Sequence, residues 1–79
     1  MPYLRPGTRK ELETRHAVRS GELNYKITLL AKQYLETNGL SYLSINDILG
    51  ALEGAKLEFY RRVVVPYEDE KILENGDIF

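Results

Sequence analysis

The stretch that decides the fold is residues 44–65, SINDILGALEGAKLEFYRRVVV. Its large apolar residues recur at intervals of three, four and seven, which is one face of an α-helix. The stripe stays in helical phase up to the valines at 63–65, so we predict one helix throughout rather than a helix followed by a strand. The members of the stripe are Ile45, Ile48, Leu49, Leu52, Phe59 and Val63.

A second side of this helix is also apolar or small. Gly50, Leu57 and Val64 lie about a third of a turn away from the stripe, and Gly54 borders them. Each glycine costs about 0.8–1 kcal/mol relative to alanine inside a helix. A helix that is apolar on more than one side is usually buried on more than one side. We therefore predict a homo-oligomer in which neighbouring helices approach closely here. Room for a ligand is the alternative.

A shorter helix is predicted before the long one, at about residues 22–37. Leu23, Ile27, Leu30 and Tyr34 follow spacings of four, three and four. Asn38-Gly39 then supplies the residues that best tolerate a left-handed helix end. The short connector that follows predicts a helical hairpin of residues 22–37 and 44–65.

The two ends of the chain complete an all-α prediction for one small domain, residues 1–79. Prolines and a glycine predict an extended arm over residues 1–7, and the capping-box pattern from Thr8 to Glu11 predicts a short helix to about Arg19. Pro66 either ends or kinks the long helix. A helical extension then reaches Asn75-Gly76, followed by a tail at residues 77–79.

Composition excludes several classes of protein. A chain of 79 residues with no cysteine and a single histidine, His16, argues against a zinc or iron–sulfur site. We predict no metal site and no cofactor. A net charge of −1 argues against a general nucleic-acid binder. No apolar run approaches the roughly 20 residues that span a membrane, and no signal sequence is recognisable. We expect a cytoplasmic protein that supplements its thin core by oligomerisation.

Tyr60-Arg61-Arg62 is the first candidate binding cluster. Paired guanidinium groups beside an aromatic ring suit phosphate binding and base stacking. The alternative is that both arginines complement the dipole of the helix C-terminus and pair with neighbouring carboxylates. The carboxylates within reach are Glu58, Glu68 and Asp69.

Asn24, Tyr25 and Thr28 form a second candidate cluster at the start of the shorter helix. Asn24 and Thr28 share a face and could contact a nucleobase edge. Tyr25 and Tyr67 could stack on bases. The alternative for this cluster is an exposed polar face with a capping role.

Catalysis is not predicted. Helical nucleotide pyrophosphohydrolases use paired E-x-x-E and E-x-x-D clusters to hold magnesium, and Glu74 with Asp77 fits the second of these. The helix stop falls between these two residues, and the upstream cluster is missing because Glu53 and Glu58 are five apart. A magnesium-dependent nucleotide hydrolase is kept only as the enzyme alternative.

Four segments carry a family resemblance: GELNYKIT at 21–28, AKLEFYRRV at 55–63, PYEDEK at 66–71 and NGD at 75–77. They resemble a family of small proteins of unknown function found in phage and phage-rich metagenomic sequences. The resemblance runs from about Gly21 to the end of the chain. It implies a phage-encoded or prophage context, in which the cytoplasm would be that of a bacterial host, and it carries no activity.

Our leading functional hypothesis is a non-enzymatic, homo-oligomeric binder of nucleotide-like ligands, for example a phage anti-defence sponge for immune signalling nucleotides. The alternative is a protein-interaction module that binds or inhibits a host protein. That module predicts an exposed apolar partner surface. Its residues would be Leu40, Tyr42, Ile78 and Phe79.

Overall fold

A computed structural model describes residues 4–79, so the start of the predicted arm lies outside the described residues. The described part of the chain is helical and has no strand, which confirms the all-α prediction. Two compact units divide the chain, one up to Ile45 and one from Asn46 to Phe79. The elements are α1 (Pro6–Glu11), α2 (Ser20–Asn38), α3 (Tyr42–Phe59), a π-helical turn (Tyr60–Val64) and α4 (Val65–Asn75).

Helix α1 begins earlier and ends sooner than the sequence predicted. Pro6 occupies the first turn, where its fixed φ and missing N–H are tolerated. The helix stops at Glu11, so the predicted extension to about Arg19 is wrong. Leu12 is buried directly after the helix, whereas Val18 is exposed. Residues 13–19 therefore have no apolar side chain whose burial would support further turns.

Helix α2 ends as predicted. Its C-terminal residue is Asn38, and Gly39 follows with a φ of +83°, a conformation that costs other residues more than glycine. The Gly39 N–H donates to the Leu35 carbonyl at 2.8 Å. Gly76 ends α4 in the same way, with a φ of +85°.

Helix α3 begins at Tyr42, before the start signal predicted at Ser44. The Ser41 hydroxyl accepts a hydrogen bond from the Ser44 N–H at 3.1 Å and donates to the Ser44 hydroxyl at 3.2 Å. The Ser41 carbonyl accepts the first helical bond, from Ile45, at 3.0 Å. Ser41 therefore satisfies one of the free donors of the first turn, the Ser44 N–H, and Ser44 lies inside the helix.

Pro66 does not end the long helix, because the turn before it is widened. Val65 donates its N–H to the Tyr60 carbonyl, five residues back, which is the π-helical pattern. A proline ring crowds the carbonyl one turn earlier and supplies no donor. The wider turn gives the ring room, and α4 continues to Asn75. The predicted helical extension is therefore present.

Candidate functional site

The π-helical turn presents two arginines that share one carboxylate. Glu58 accepts a hydrogen bond from Arg61 Nη2 at 2.5 Å and another from Arg62 Nε. Both guanidinium side chains stay largely exposed, at 73% and 74%. One negative charge opposes two positive ones, so the cluster keeps a net positive charge and free N–H donors. It can attract an anion, although the pairing with Glu58 predicted as the alternative is also present.

Tyr60 in this turn and Tyr67 just after it differ in whether another side chain covers a face of the ring. Tyr60 is half-exposed. Tyr67 is exposed to a similar degree, but the Lys71 ammonium lies 5.5 Å from its ring centroid. That contact is a cation–π interaction and covers one face of the Tyr67 ring. Tyr60 is therefore the better placed of the two to stack on a base.

The second predicted cluster lies on α2, in the other unit. Thr28 Oγ1 donates to Asn24 Oδ1 at 3.3 Å, so the two polar side chains satisfy each other in part. Both are exposed, and Tyr25 is partly buried. The seven predicted ligand residues thus form two groups, and each group belongs to a different unit of the chain.

The glycine side of the long helix is open. A Cβ atom built at Gly50 or at Gly54 would meet nothing within 4 Å. Leu57 beside them is exposed, while Val64 is partly buried. The surface predicted to pack against a neighbouring chain is therefore accessible to one.

Exposed apolar side chains extend over most of the second unit. Monomeric soluble proteins rarely leave large contiguous apolar areas in water, and such areas mark interaction surfaces. The tail is the extreme case, since Ile78 is 94% exposed and Phe79 is fully exposed. Between Asn46 and the end of α4, the large exposed apolar residues are Leu49, Leu52, Leu57, Phe59, Tyr60, Val63, Val65, Tyr67, Ile72 and Leu73.

An ion pair in the first unit was not predicted. The guanidinium of Arg15 donates to both carboxylate oxygens of Glu22, at 3.0 Å each. The same carboxylate accepts the N–H of Val18 at 2.9 Å and that of Arg19 at 3.4 Å. Hydrogen bonds from Arg15, then from Val18, lower the pKa of the Glu22 carboxyl to about 2. Lys26 Nζ donates to the Arg15 carbonyl.

This ion pair is structural, because it holds the irregular segment before α2 against the first turn of that helix. Its signal in the sequence was a glutamate three residues after the N-cap position, as in a capping box. Helix α2 begins at Ser20, two residues before the predicted start, and Arg19 is its N-cap residue.

Neither a metal centre nor a membrane span is found in the described residues. No group of three or more histidine, aspartate or glutamate side chains within residues 4–79 is arranged to hold a metal ion. Over the same residues, no helix has the length and apolar character needed to cross a membrane.

The fold and the site define a small all-α protein whose long helix carries exposed apolar faces around a basic π-helical turn. The chain belongs to the family described as Domain of unknown function (DUF6899), whose model matches residues 1–78. This confirms the resemblance to a family of unknown function. No curated protein and no solved structure shows significant similarity to the chain.

Proposed function

We propose that this chain is a non-enzymatic protein-interaction module that works as a homo-oligomer assembled through its long helix. The observation that carries the proposal is the exposure of large apolar side chains from Leu49 to Leu73. Fully burying a leucine, valine or phenylalanine side chain is worth about 1.5–3 kcal/mol. Association costs an estimated 4–15 kcal/mol. Covering several of these side chains would therefore offset the cost of assembly.

Further partners have two other groups of exposed apolar side chains available. Leu40 and Tyr42 are strongly exposed at the start of α3 in the first unit, and Ile78 and Phe79 are exposed in the tail of the second unit. These are the residues that the protein-interaction hypothesis singled out. A phage-encoded binder or inhibitor of a host protein would use them once the long helices are paired.

Substitution of an apolar residue on the long helix tests this function. Val63→Asp should dissociate the oligomer, because it would place a charge among apolar side chains in the interface. Leu40→Asp is the matched control, an equally drastic change at an exposed residue outside the long helix. Size-exclusion chromatography with light scattering should show a smaller species for Val63→Asp alone. An unchanged oligomer in the Val63 variant, or its loss in the control only, would contradict the proposal.

A second candidate function is binding of nucleotide-like ligands, as an anti-defence sponge would do. The specific observation in its favour is that Arg61 and Arg62 share a single carboxylate beside the half-exposed Tyr60 ring. Guanidinium groups bind phosphate oxygens in bidentate fashion, and the tyrosine offers a stacking face. An oligomer would present several such clusters.

Equilibrium dialysis against a panel of mononucleotides, linear dinucleotides and cyclic dinucleotides tests this candidate. One ligand class should bind the wild type, and Arg61→Ala with Arg62→Ala should weaken that binding by about 10-fold or more. Arg9→Ala, which removes an exposed arginine from α1, is the control and should bind normally. Equal binding by all three proteins would exclude the cluster as the site.

A further inference from the structure

We infer that two copies of the long helix pair antiparallel, with the two-fold axis near Val65 and a seam formed by Phe59, Val63, Tyr67 and Lys71. The inference rests on the proposed homo-oligomer. It adds the identity of the partner surface, its direction and its register.

The π-helical turn aligns the four residues of the seam. In a regular α-helix a step of four residues advances about 40° around the axis, so residues four apart wind away from one another. The π-helical turn holds about one residue more per turn than an α-helical one. Phe59, Val63 and Tyr67 span this π-helical turn, and they therefore lie close to one line along the helix surface. The contact between Lys71 and Tyr67 shows that these two also share a face.

The seam is accessible along its length. Phe59, Val63 and Tyr67 are 61%, 50% and 58% exposed, and the Lys71 side chain is 48% exposed. A second copy running in the opposite direction places Phe59 opposite the partner's Lys71 and Val63 opposite the partner's Tyr67. The first of these contacts is a cation–π pair and the second packs two apolar side chains.

Charge selects the antiparallel direction. Residues 56–62 carry a net charge of +2, and residues 68–74 carry a net charge of −3. Antiparallel pairing about Val65 sets the basic half of each helix against the acidic half of the other, with Lys56 opposite the partner's Glu74. Parallel pairing would set like charges side by side, which is destabilising. The charges are Lys56, Glu58, Arg61 and Arg62 in the first half and Glu68, Asp69, Glu70, Lys71 and Glu74 in the second.

The chain contains no cysteine, so in a disulfide test the introduced cysteines are the only ones that can cross-link. Lys56→Cys and Glu74→Cys leave the apolar seam intact and change exposed side chains. An antiparallel pair about Val65 brings position 56 next to the partner's position 74. The two copies of position 56 are then about 27 Å apart, too far for a disulfide. Each variant alone should stay monomeric on a denaturing gel after incubation in a glutathione buffer.

An equimolar mixture of the two variants should instead form a heterodisulfide, roughly 100-fold faster than collisional cross-linking. Lys32→Cys, on α2, measures that collisional rate. Parallel pairing would instead give homodisulfides in each variant alone, with no preference for the heterodisulfide in the mixture. That result would overturn the inference but not the proposed homo-oligomer. An oligomer that forms neither disulfide would overturn the register. A monomeric wild type would instead remove the proposed function itself.

Discussion

Arg15 and Glu22 form a bidentate ion pair, with both guanidinium nitrogens at 3.0 Å from the two carboxylate oxygens. Seven residues separate them, and no helix joins them, because α1 ends at Glu11 and α2 begins at Ser20. The pair therefore closes the irregular connection between two helices. With the N–H groups of Val18 and Arg19, the pair gives Glu22 four hydrogen bonds that only the ionised carboxylate can accept in full.

The first prediction concerns the loss of thermal stability at acidic pH. The pKa of Glu22 is lowered from 4.5 to about 2 in the folded chain. A carboxyl with a lowered folded-state pKa stabilises the fold above its unfolded pKa, and that contribution is lost as the pH falls toward the folded value. We expect thermal stability, measured by circular dichroism, to fall between about pH 4.5 and pH 2.

Glu22→Gln should be less stable than the wild type at pH 7 and should lose part of this acid dependence. Glu36→Gln is the control, because Glu36 forms only an exposed ion pair with Lys32. Parallel pH profiles for the wild type and Glu22→Gln would show that the ion pair does not contribute.

The second prediction concerns the start of α3. Ser41→Ala removes the hydroxyl that caps the Ser44 N–H, and loss of such a cap costs about 0.5–2 kcal/mol. Urea unfolding should show a loss in this range. Ser20→Ala, at the first residue of α2, should change the free energy of unfolding by less. A larger loss at Ser20 than at Ser41 would refute the assignment of Ser41 as the cap.

The third prediction concerns the proline that follows the π-helical turn. Pro66→Ala restores a backbone donor and removes the ring, so we expect higher helicity and a higher midpoint of thermal unfolding. The turn should then return to α-helical spacing, which moves Phe59 and Tyr67 out of line. Self-association should weaken in sedimentation experiments even though the helix is more stable.

Leu40→Ala serves as the control for this experiment, since it removes an exposed apolar side chain outside the long helix. Tighter self-association in Pro66→Ala than in the wild type would contradict the role assigned to the widened turn.

The fourth prediction is a charge exchange across the paired helices. Lys56→Glu and Glu74→Lys should each weaken self-association, because each opposes a like charge on the partner. The double variant should recover much of the loss, since the opposite charges are again facing. Additive losses in the double variant, measured by sedimentation equilibrium at low salt, would exclude this pairing.

Helices α2 and α3 were predictable because their apolar spacing is a local feature, and so are the glycine stops of α2 and α4. The ends at Gly39 and Gly76 follow from the need for a positive φ, which the sequence displays directly. The start of α3 was predicted at residue 44, two residues late, since Ser41 and Ser44 can both cap a first turn and the chain selects Ser41 only through its backbone geometry. Local pattern thus identified the elements better than their boundaries.

The π-helical turn and the ion pair were not predictable in the same way. Whether Pro66 breaks or bends a helix depends on the balance between the roughly 3 kcal/mol cost of proline and the gain from continuing the helix. Arg15 lies in a segment without helical periodicity, so its contact with Glu22 could not be inferred from the spacing of residues. Of the predicted site, Tyr60, Arg61 and Arg62 are all exposed in the π-helical turn, and a ligand for them stays a proposal.

Assembly through the long helix is tested by sedimentation equilibrium of the full chain at micromolar concentrations and near-physiological salt. We predict a species whose mass is an integral multiple, at least two, of the 9.1 kDa chain. The exposed apolar faces would then be covered by a second copy. A single species of 9.1 kDa over the whole concentration range would contradict the proposal, because those faces would remain in water.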